Sequence, residues 1–428
     1  MKLAFVRIAC TSLGFALIAC CASADLFSYV EKPDDAFTWE LNGTTEVGPG
    51  KVYDLSMVSQ VWQGITWEHQ IQIYEPRNLK YTDMMPLMIT GGGADDESQT
   101  IGLTVANMLG TRIAVLYHIP KQPLFDGLKE DALISYTWMK YMETGDEDWI
   151  LNFPMTKATV RAMDALDAFS EEQLEAKVSG YMVFGASKRG WTTYMTGIVA
   201  PERCVGIAPM VFDILNMPVQ IGHQRDFWGD YSPMIHDYTD KGIQSLMDTE
   251  RGYRLGWIVD PYSYRDKLTM PKLVILGSND PYWPIDAVNQ YYRGLPNPRL
   301  LLIAPNSGHG LDDLMRVLGS MGGFYRLLAE DKPMPVPQWQ WTEDADSAVL
   351  EMTAEPVPDE VRVWVARQDK RDFRDAEWEA SDLTLADGAA EVDIERKDGK
   401  YTAAYGEMVF LVDGLRLTVS TQPYVLHP

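Results

Sequence analysis

The sequence predicts an α/β protein, with a mostly parallel sheet covered by helices on both faces, followed by a smaller all-β region. Short, continuously apolar runs, typical of strands buried on both faces, alternate with amphipathic helical segments over about 300 residues. A proline-rich linker, residues 332–337, ends this pattern. After it, short alternating runs separated by turn residues recur about every ten residues, as in an antiparallel β-sandwich.

Length and composition agree with two domains. At 428 residues the chain is long for one domain, and an apolar content of 46% supplies a sizeable core. We expect the α/β domain over residues 25–331 and an Ig-like β-sandwich over residues 332–428. The net charge of −24 argues against nucleic acid and anionic membrane surfaces as partners. Nothing in the composition predicts an oligomeric state.

Residues 1–24 have the features of a secretory signal peptide. Lys2 and Arg7 precede an apolar run that closes with small residues up to Ala24, which suits cleavage. Cys20 ends a run, LIAC, that resembles a bacterial lipobox, so lipid anchoring at Cys20 stays open beside the favoured cleavage after Ala24. Both alternatives predict export to the periplasm or the medium. No other apolar stretch is long enough for a transmembrane segment, and the mature chain keeps only Cys204, which excludes an internal disulfide.

The α/β elements follow in order along the chain. Residues 65–74 alternate between polar and apolar types, as a half-exposed strand does. Residues 84–90 and 112–118 are buried strands, and the helical spacing of residues 98–110 between them implies a right-handed crossover. The later elements are helices at 129–142 and 155–169, strands at 178–184, 203–212, 272–276 and 299–303, and a last helix near 311–328.

Residues 213–270 interrupt this alternation. The stretch is rich in Trp, Tyr, Met and Gly, and only a weak helix near residues 242–248 has the expected periodicity. A long insertion between two core strands is typical of a lid over a binding cleft. A structural excursion that packs on the sheet is the alternative.

Ser187 is the candidate nucleophile. In parallel sheets, ligands bind at the carboxyl ends of the strands, and Ser187 lies there, between an apolar strand and a helix in the run FGASKRGW. Such a turn exposes a serine to the cleft. Gly185 at position −2 fits the usual G-x-S-x-G pattern. The sequence departs from it at +2, where Arg189 replaces glycine, and Gly190 follows at +3.

Two later loops supply partners for this serine. Asp280, in GSNDP, follows one predicted strand, and His309, in NSGHG, follows the next. A histidine takes the serine proton as general base, and an aspartate fixes its tautomer. The order serine, aspartate, histidine is that of α/β-hydrolases. A helix cap is the alternative role of Asp280, and Asp213, after another strand, is the alternative acid.

The oxyanion site is predicted from a glycine-rich loop. Gly92 and Gly93, in GGGADD, directly follow a buried strand, and their amides, with the amide of Lys188, would hold the oxyanion. Asp213, Trp228 and Trp283 are the candidate pocket residues.

The substrate is predicted only as a small molecule or a peptide, and the choice between ester and peptide bond stays open. The aromatic pocket candidates would suit a sugar or an aromatic group, whereas acidic lid residues would suit a cationic one. We predict no metal and no other cofactor, because the acidic cluster at residues 95–97 lacks a histidine at ligand spacing.

Several motifs together resemble those of a known family. The segments ITGGGADD, IPKQP, FGASKRGWTT, VFDILNM, LGSNDPYW and SGHG resemble the PhoPQ-activated pathogenicity-related protein family, and VRVWVARQDKRDFRDAEWEAS resembles its C-terminal part. The resemblance covers nearly the whole chain from Leu26 onward. It implies an exported α/β-hydrolase with Ser187, Asp280 and His309 as its triad. The Ser-Lys-Arg-Gly order is also similar to the Ser-Arg-x-Gly of glucuronoyl esterases, which implies that Lys188 helps to hold the oxyanion.

We therefore expect an exported serine hydrolase that cleaves an ester or peptide bond through an acyl-enzyme. The alternative is a secreted signalling or binding protein on a hydrolase scaffold, with little or no catalysis and with the β-sandwich as its interaction surface.

Overall fold

The computed structural model describes residues 25–428, so the predicted signal peptide and Cys20 lie outside the described residues. Its main sheet has nine strands. They are β1 (Thr38–Val47), β2 (Gly50–Trp62), β3 (Ile65–Pro76), β4 (Met84–Ile89), β5 (Ile113–Leu116), β6 (Gly180–Ala186), β7 (Cys204–Met210), β8 (Lys272–Gly277) and β9 (Arg299–Ala304).

The main sheet is mostly parallel. Its order is β1-β2-β3-β5-β4-β6-β7-β8-β9. The first three strands and the β3–β5 pair are antiparallel, whereas every pair from β5 to β9 is parallel. The parallel strands therefore bring the loops after β4, β6, β7, β8 and β9 to one edge. This architecture confirms the predicted α/β-hydrolase fold. Strands β1 and β2 were not predicted: β1 is mostly exposed and carries no apolar run, and the buried apolar residues of β2 are interspersed with polar ones.

Helices cover both faces of this sheet. Successive residues of β6 alternate between two hydrophobic cores, with Tyr181 and Val183 in one and Met182 in the other. The helices outside the lid are α1 (Leu26–Glu31), α2 (Asp96–Leu109), α3 (Glu130–Thr144), α4 (Asn152–Leu174), α5 (Lys188–Val199) and α10 (Leu314–Ala329). Among the described residues, no helix combines the length and apolarity that membrane crossing requires.

The predicted lid, residues 213–270, is more helical than its sequence indicates. It contains α6 (Met217–Trp228), α7 (His236–Thr239), α8 (Ile243–Leu246) and α9 (Glu250–Val259), with short 3-10 turns between them. The weak helix expected near 242–248 corresponds to α8. Of the other helices, α7 has a single turn and α6 buries polar glutamines, so neither shows a simple apolar stripe. Helix α9 was not predicted, although it buries Leu255, Ile258 and Val259 on one face.

The C-terminal region consists of two antiparallel sheets, of three and five strands. Gly406 lies where the sheets face each other, since a Cβ there would be 2.0 Å from the sulfur of Met352. Residues 401–412 form one long strand, and β10 begins inside the predicted linker. The strands are β10 (Val336–Glu343), β11 (Ser347–Glu355), β12 (Glu360–Gln368), β13 (Glu379–Asp382), β14 (Ala389–Glu395), β15 (Tyr401–Val412), β16 (Leu415–Ser420) and β17 (Tyr424–Leu426).

The C-terminal sheets pack directly on the α/β part. Helix α10 lies against β16, where a Cβ on Gly323 would be 2.8 Å from the Cβ of Leu417. Backbone amides also cross this boundary: Thr418 donates to the Ser320 hydroxyl, and Ile303 of β9 donates to the Ser420 hydroxyl. The two parts therefore share buried contacts over a wide area.

Candidate active site

Ser187 occupies a strained turn between β6 and α5. Its φ of 57° and ψ of −122° lie outside the regions that a non-glycine residue normally adopts. Two backbone hydrogen bonds hold this geometry: the Ser187 amide donates to the carbonyl of Met210, and its carbonyl accepts from the amide of Trp191. Backbone strain that is held in place by surrounding contacts is common at functional sites.

The unusual glycine spacing around Ser187 has a steric explanation. A Cβ on Gly185 would lie 2.8 Å from the Cβ of Arg189 and 2.9 Å from its carbonyl oxygen, so the missing side chain at −2 makes room for a residue that has a Cβ at +2. A Cβ on Gly190 would lie 2.6 Å from the carbonyl oxygen of Met210 and 3.1 Å from that of Gly185. Glycine is therefore required at +3, where the first turn of α5 crosses β7.

Asp280 and His309 form a hydrogen-bonded pair at the ends of β8 and β9. The Oδ2 atom of Asp280 lies 2.8 Å from Nδ1 of His309, and its Oδ1 atom accepts the Tyr282 amide. The Tyr282 ring lies against the imidazole, with centroids 4.2 Å apart. Asp280 is buried. A carboxylate bound at Nδ1 directs the free ring nitrogen, Nε2, to serve as the base.

The two loops that carry this pair touch at Gly277. A Cβ there would lie 2.4 Å from the carbonyl oxygens of both Ser307 and Gly308. The Asn279 amide also donates to the Ser307 carbonyl at 2.9 Å. The close approach of the loops is thus possible only because residue 277 has no side chain.

Ser187 and His309 line one cavity beneath the lid. The cavity contains about 900 Å³ of empty space, part of it open to solvent. Nε2 of His309 is buried, and no described residue makes a hydrogen bond to it. The walls are mainly apolar. Lid residues supply much of the apolar surface: Ile214, Met217, Ile221, Ile235, Ile243 and Met247.

The charged groups in this cavity are already paired. Asp131 accepts hydrogen bonds from Lys188 Nζ at 2.9 Å and from the hydroxyl of Tyr238, on α7, at 2.9 Å. Lys188 Nζ also lies 3.3 Å from a carboxylate oxygen of Glu130. The cavity therefore offers a ligand an apolar surface with no unbalanced charge among these groups.

Arg189 connects the serine turn with two neighbouring loops. Its guanidinium binds Glu130 in a bidentate pair at 2.6 and 2.7 Å, and its Nε donates to the carbonyl of Ile119. It also lies flat against Gly91, where a Cβ would be 1.6 Å from Nη2. Burial of Glu130 raises its pKa, but the hydrogen bonds and charge of Arg189, with smaller contributions from Gln122 and Lys188, outweigh this and lower the pKa to about 2.

Sequence reasoning missed Glu130 and Asp131. They lie 57 to 59 positions from their basic partners in the chain, and only the fold brings them together. The single available signal was two acidic residues in the first turn of α3, which also suits a helix N-terminus.

The predicted oxyanion glycines do not line the cavity. Gly93 lies beside His118, whose Cε1 would be 3.1 Å from an added Cβ. The amide of Gly92 points to the Thr90 hydroxyl at 3.5 Å. Lys188, in contrast, does line the cavity and begins α5 directly after the serine. The oxyanion assignment remains a prediction.

The three pocket candidates have different positions. Trp283 lines the cavity. Trp228 is not among the residues that line this cavity, and the Arg374 guanidinium lies 4.3 Å from its ring centre, so its part in the pocket stays a prediction. Asp213 lies in a separate small cavity beside Asp280, and burial raises its pKa well above the usual range. His309 is therefore paired with Asp280 and not with Asp213.

Three further sequence interpretations concern the acidic lid residues, Cys204 and metal binding. The acidic lid residues, Asp226, Asp230, Asp237 and Asp240, do not line the cavity, so its lining does not favour the alternative of a cationic group. Burial raises the pKa of the Cys204 thiol to about 12, consistent with a buried, inert cysteine. Within residues 25–428, no group of three or more His, Cys, Asp or Glu side chains is arranged to hold a metal ion.

Comparison with known proteins identifies relatives along most of the chain. Residues 26–374 match the model of the PhoPQ-activated pathogenicity-related protein family. The chain is 32% identical over 441 aligned residues to autocrine proliferation repressor protein A of Dictyostelium discoideum, with 93% of this chain and 88% of that protein covered.

Similar solved structures are much more distant. An acetyl xylan esterase from Paenibacillus sp. R4 is 14% identical, with a TM-score of 0.49, over 68% of this chain and 91% of that one. An S-formylglutathione hydrolase from Agrobacterium tumefaciens is 15% identical, with a TM-score of 0.46, over 68% of this chain and 99% of that one. At this distance neither carries an argument about substrate.

Proposed function

The chain belongs to the PhoPQ-activated pathogenicity-related protein family, and we propose that it is a serine hydrolase that works through an acyl-enzyme on Ser187. The observation that carries this proposal is the buried Asp280–His309 pair, whose unbonded Nε2 lines the same cavity as the strained Ser187 turn. An ordinary serine hydroxyl is a poor nucleophile unless a neighbouring base takes its proton.

The proposed reaction has two steps. His309 Nε2 removes the hydroxyl proton as Ser187 Oγ attacks the substrate carbonyl, and it then delivers that proton to the leaving group as the carbonyl–heteroatom bond breaks. Water, deprotonated by the same nitrogen, releases the acid and regenerates the serine. Asp280 holds the imidazole tautomer and stabilises its charged form throughout.

The oxyanion would form near the start of α5. We propose the Lys188 amide as one donor, because a helix N-terminus directs backbone amides at the residue before it. Gly92 and Gly93 stay the predicted further donors; neither lines the cavity in this structure, and the Gly92 amide lies 3.5 Å from the Thr90 hydroxyl. The Lys188 side chain is bound by two carboxylates, which favours a structural part for its ammonium group.

The proposed substrate is an ester with an uncharged, apolar acyl or alkyl group. Apolar lid residues and the rings of Trp138, Trp191 and Tyr282 surround the serine. A peptide amino terminus would need a free carboxylate, and the cavity carboxylate, Asp131, already binds Lys188 and Tyr238. Burial of apolar surface would then supply most of the binding energy.

Two assays test the function. A fluorophosphonate probe should label the protein at one serine, with labelling lost in Ser187→Ala and retained in Ser179→Ala, an exposed serine beside the opposite end of β6. p-Nitrophenyl esters of apolar acids should be hydrolysed much faster than aminoacyl p-nitroanilides. Labelling that persists in Ser187→Ala would reject this assignment.

A second candidate is a secreted signalling protein on a hydrolase scaffold. Two observations favour it: the relative from Dictyostelium discoideum is described as an autocrine proliferation repressor, and Ser187 makes no hydrogen bond to His309 among the described residues. Absence of both labelling and ester hydrolysis in the folded wild-type protein would select this candidate.

We also propose that the protein is exported, with residues 25–331 as the hydrolase domain, residues 213–270 as its lid and residues 332–428 as a β-sandwich. Intact-mass analysis of the protein secreted by a bacterial host should give a chain that begins at residue 25, or one that begins at a lipidated Cys20. A chain that keeps residues 1–24 in the cytoplasm would contradict export.

A further inference from the structure

The C-terminal region extends a loop back to the candidate active site. This loop, residues 371–378, connects β12 with β13. Phe373 and Trp378 are both 2% exposed, and the Trp378 ring lies 5.1 Å from that of Tyr405 on β15. The 371–378 loop is therefore anchored in the core of the C-terminal sheets and is not a free surface segment.

One contact of the 371–378 loop involves the residue directly before Asp280. The side-chain amide of Asn279 lies within hydrogen-bond distance of the carbonyl oxygens of Phe373, Arg374 and Ala376, at 3.2, 3.2 and 2.7 Å. These three acceptors belong to one turn of the loop. A change in the position of this turn would move Asn279, and Asp280 with it.

A second contact involves the loop that carries His309. The side-chain amide of Asn306 donates to the carbonyl of Trp378 at 3.0 Å, and its oxygen accepts the Trp378 amide at 2.7 Å. Asn306 has a φ of 52°, which asparagine tolerates better than most residues. These two hydrogen bonds thus fix the position of Asn306, which lies just after β9 and three residues before His309.

The same loop also contacts the lid. The Arg371 guanidinium lies 4.1 Å from the ring centre of Phe227, on α6. Arg371 also lies 3.6 Å from Asp286, which accepts a hydrogen bond from His223, on α6, at 2.7 Å. The 371–378 loop thus contacts the loop that carries Asp280, the loop that carries His309, and the lid.

We infer that the 371–378 loop is a structural part of the active site, and that Asn279 and Asn306 are positioning residues that set Asp280 and His309 relative to each other. The inference rests on the proposed function, because it assigns a role to those two residues in the reaction. Misplacement of a catalytic group by about 1 Å can cost about a hundredfold in rate. The C-terminal sheets would then be required for the reaction and not only for stability.

The test compares three asparagines that bind the C-terminal region. Asn279→Ala and Asn306→Gly remove the proposed positioning contacts, and glycine retains the positive φ at position 306. Asn289→Ala is the matched control, since Asn289 binds the Pro423 carbonyl and the Gln422 side chain but belongs to neither catalytic loop. We expect kcat for a p-nitrophenyl ester to fall tenfold to a hundredfold in the first two variants, with KM within about twofold. The control should keep its kcat within about twofold.

Melting temperatures separate positioning from simple stability. A positioning role predicts that kcat falls in Asn279→Ala and Asn306→Gly by more than any change in their melting temperature relative to Asn289→Ala would explain. Equal loss of melting temperature in all three variants, with kcat unchanged in Asn279→Ala and Asn306→Gly, would overturn the inference.

A third readout does not depend on catalysis. The Nδ1 proton shared by His309 and Asp280 should give a downfield proton NMR signal in the wild-type protein, identified by its loss in His309→Gln. We expect this signal to broaden or shift in Asn279→Ala and to persist in Asn289→Ala. If the wild-type protein hydrolyses no ester, the proposed function fails, and an unchanged signal in Asn279→Ala would overturn the positioning role separately.

Discussion

Replacement of Arg189 by methionine should destabilise the protein through the carboxylate that it leaves behind. Methionine has similar length but no charge, so Glu130 loses both hydrogen bonds of the bidentate pair, and the Ile119 carbonyl loses its Nε donor. Arg189 is only 8% exposed, so water cannot easily replace these contacts. Removal of one partner of a buried ion pair is more costly than replacement of both.

The magnitude follows from the pKa of Glu130. The fold lowers it from 4.5 to about 2, and at about 1.4 kcal/mol per pKa unit this corresponds to roughly 3.4 kcal/mol. The Glu130 side chain is 39% exposed, so screening by solvent reduces this to about 2 kcal/mol. Because the folded pKa lies below the unfolded one, this contribution is complete above about pH 4.5 and disappears as the pH falls toward 2.

Urea unfolding at pH 7, 4 and 3 measures this effect. Arg189→Met should lose about 2 kcal/mol at pH 7 and progressively less at lower pH. Glu130→Gln in the Arg189→Met background should recover part of the loss, because it removes the unpaired carboxylate. A loss below about 0.5 kcal/mol at pH 7, or the same loss at pH 7 and 3, would refute this reasoning.

Three further predictions concern other parts of the fold. Gly190→Ala should destabilise the protein by about 1–3 kcal/mol in thermal unfolding, because the new Cβ would meet a backbone carbonyl of β7. Gly222→Ala should instead stabilise the protein by about 0.5–1 kcal/mol, because Gly222 is inside α6 and has open space where the Cβ would lie. Asp280→Asn should lower kcat by about 10⁴-fold, whereas Asp213→Asn should lower it far less; equal losses would contradict the pairing of His309 with Asp280. Burial lowers the pKa of Lys272 to about 7. Between about pH 7 and 10 the unfolded chain therefore binds more protons than the folded one, so the free energy of unfolding of the wild-type protein should rise with pH relative to that of Lys272→Met. Parallel curves of unfolding free energy against pH for the two proteins would contradict this assignment.

The sequence predicted the elements whose pattern is local. Apolar runs identified the parallel strands, and each candidate catalytic residue was located from the loop that follows one of them. The alternation in β3 also accounts for His69. This residue lies in phase with Trp67 and Ile71 on the apolar face of the strand, is 4% exposed, and has its Nε2 atom 2.9 Å from the Ser59 hydroxyl. The opposite face exposes Thr66 and Glu68, as expected of a half-exposed strand.

Contacts between distant segments could not be read from the sequence. Nothing near Lys188 or Arg189 identifies Glu130 and Asp131 as partners, because only the tertiary fold brings α3 next to the start of α5. The 371–378 loop is a clearer case, since Asn279 and its three carbonyl acceptors are 94 to 97 positions apart. Periodicity describes single elements, whereas these contacts depend on how separate elements are arranged.

The turn at Ser187 bears on how hydrolases are found in genome surveys. A search that demands glycine at both −2 and +2 would pass over this chain, although its turn has the required backbone. The steric condition concerns a pair of positions: a residue with a Cβ at +2 fits when −2 is glycine, provided that the residue crossing the neighbouring strand, here Gly190, stays small. Patterns written as such paired conditions would retrieve sequences whose nucleophile turns carry a buried arginine, and would separate them from chance matches to G-x-S alone.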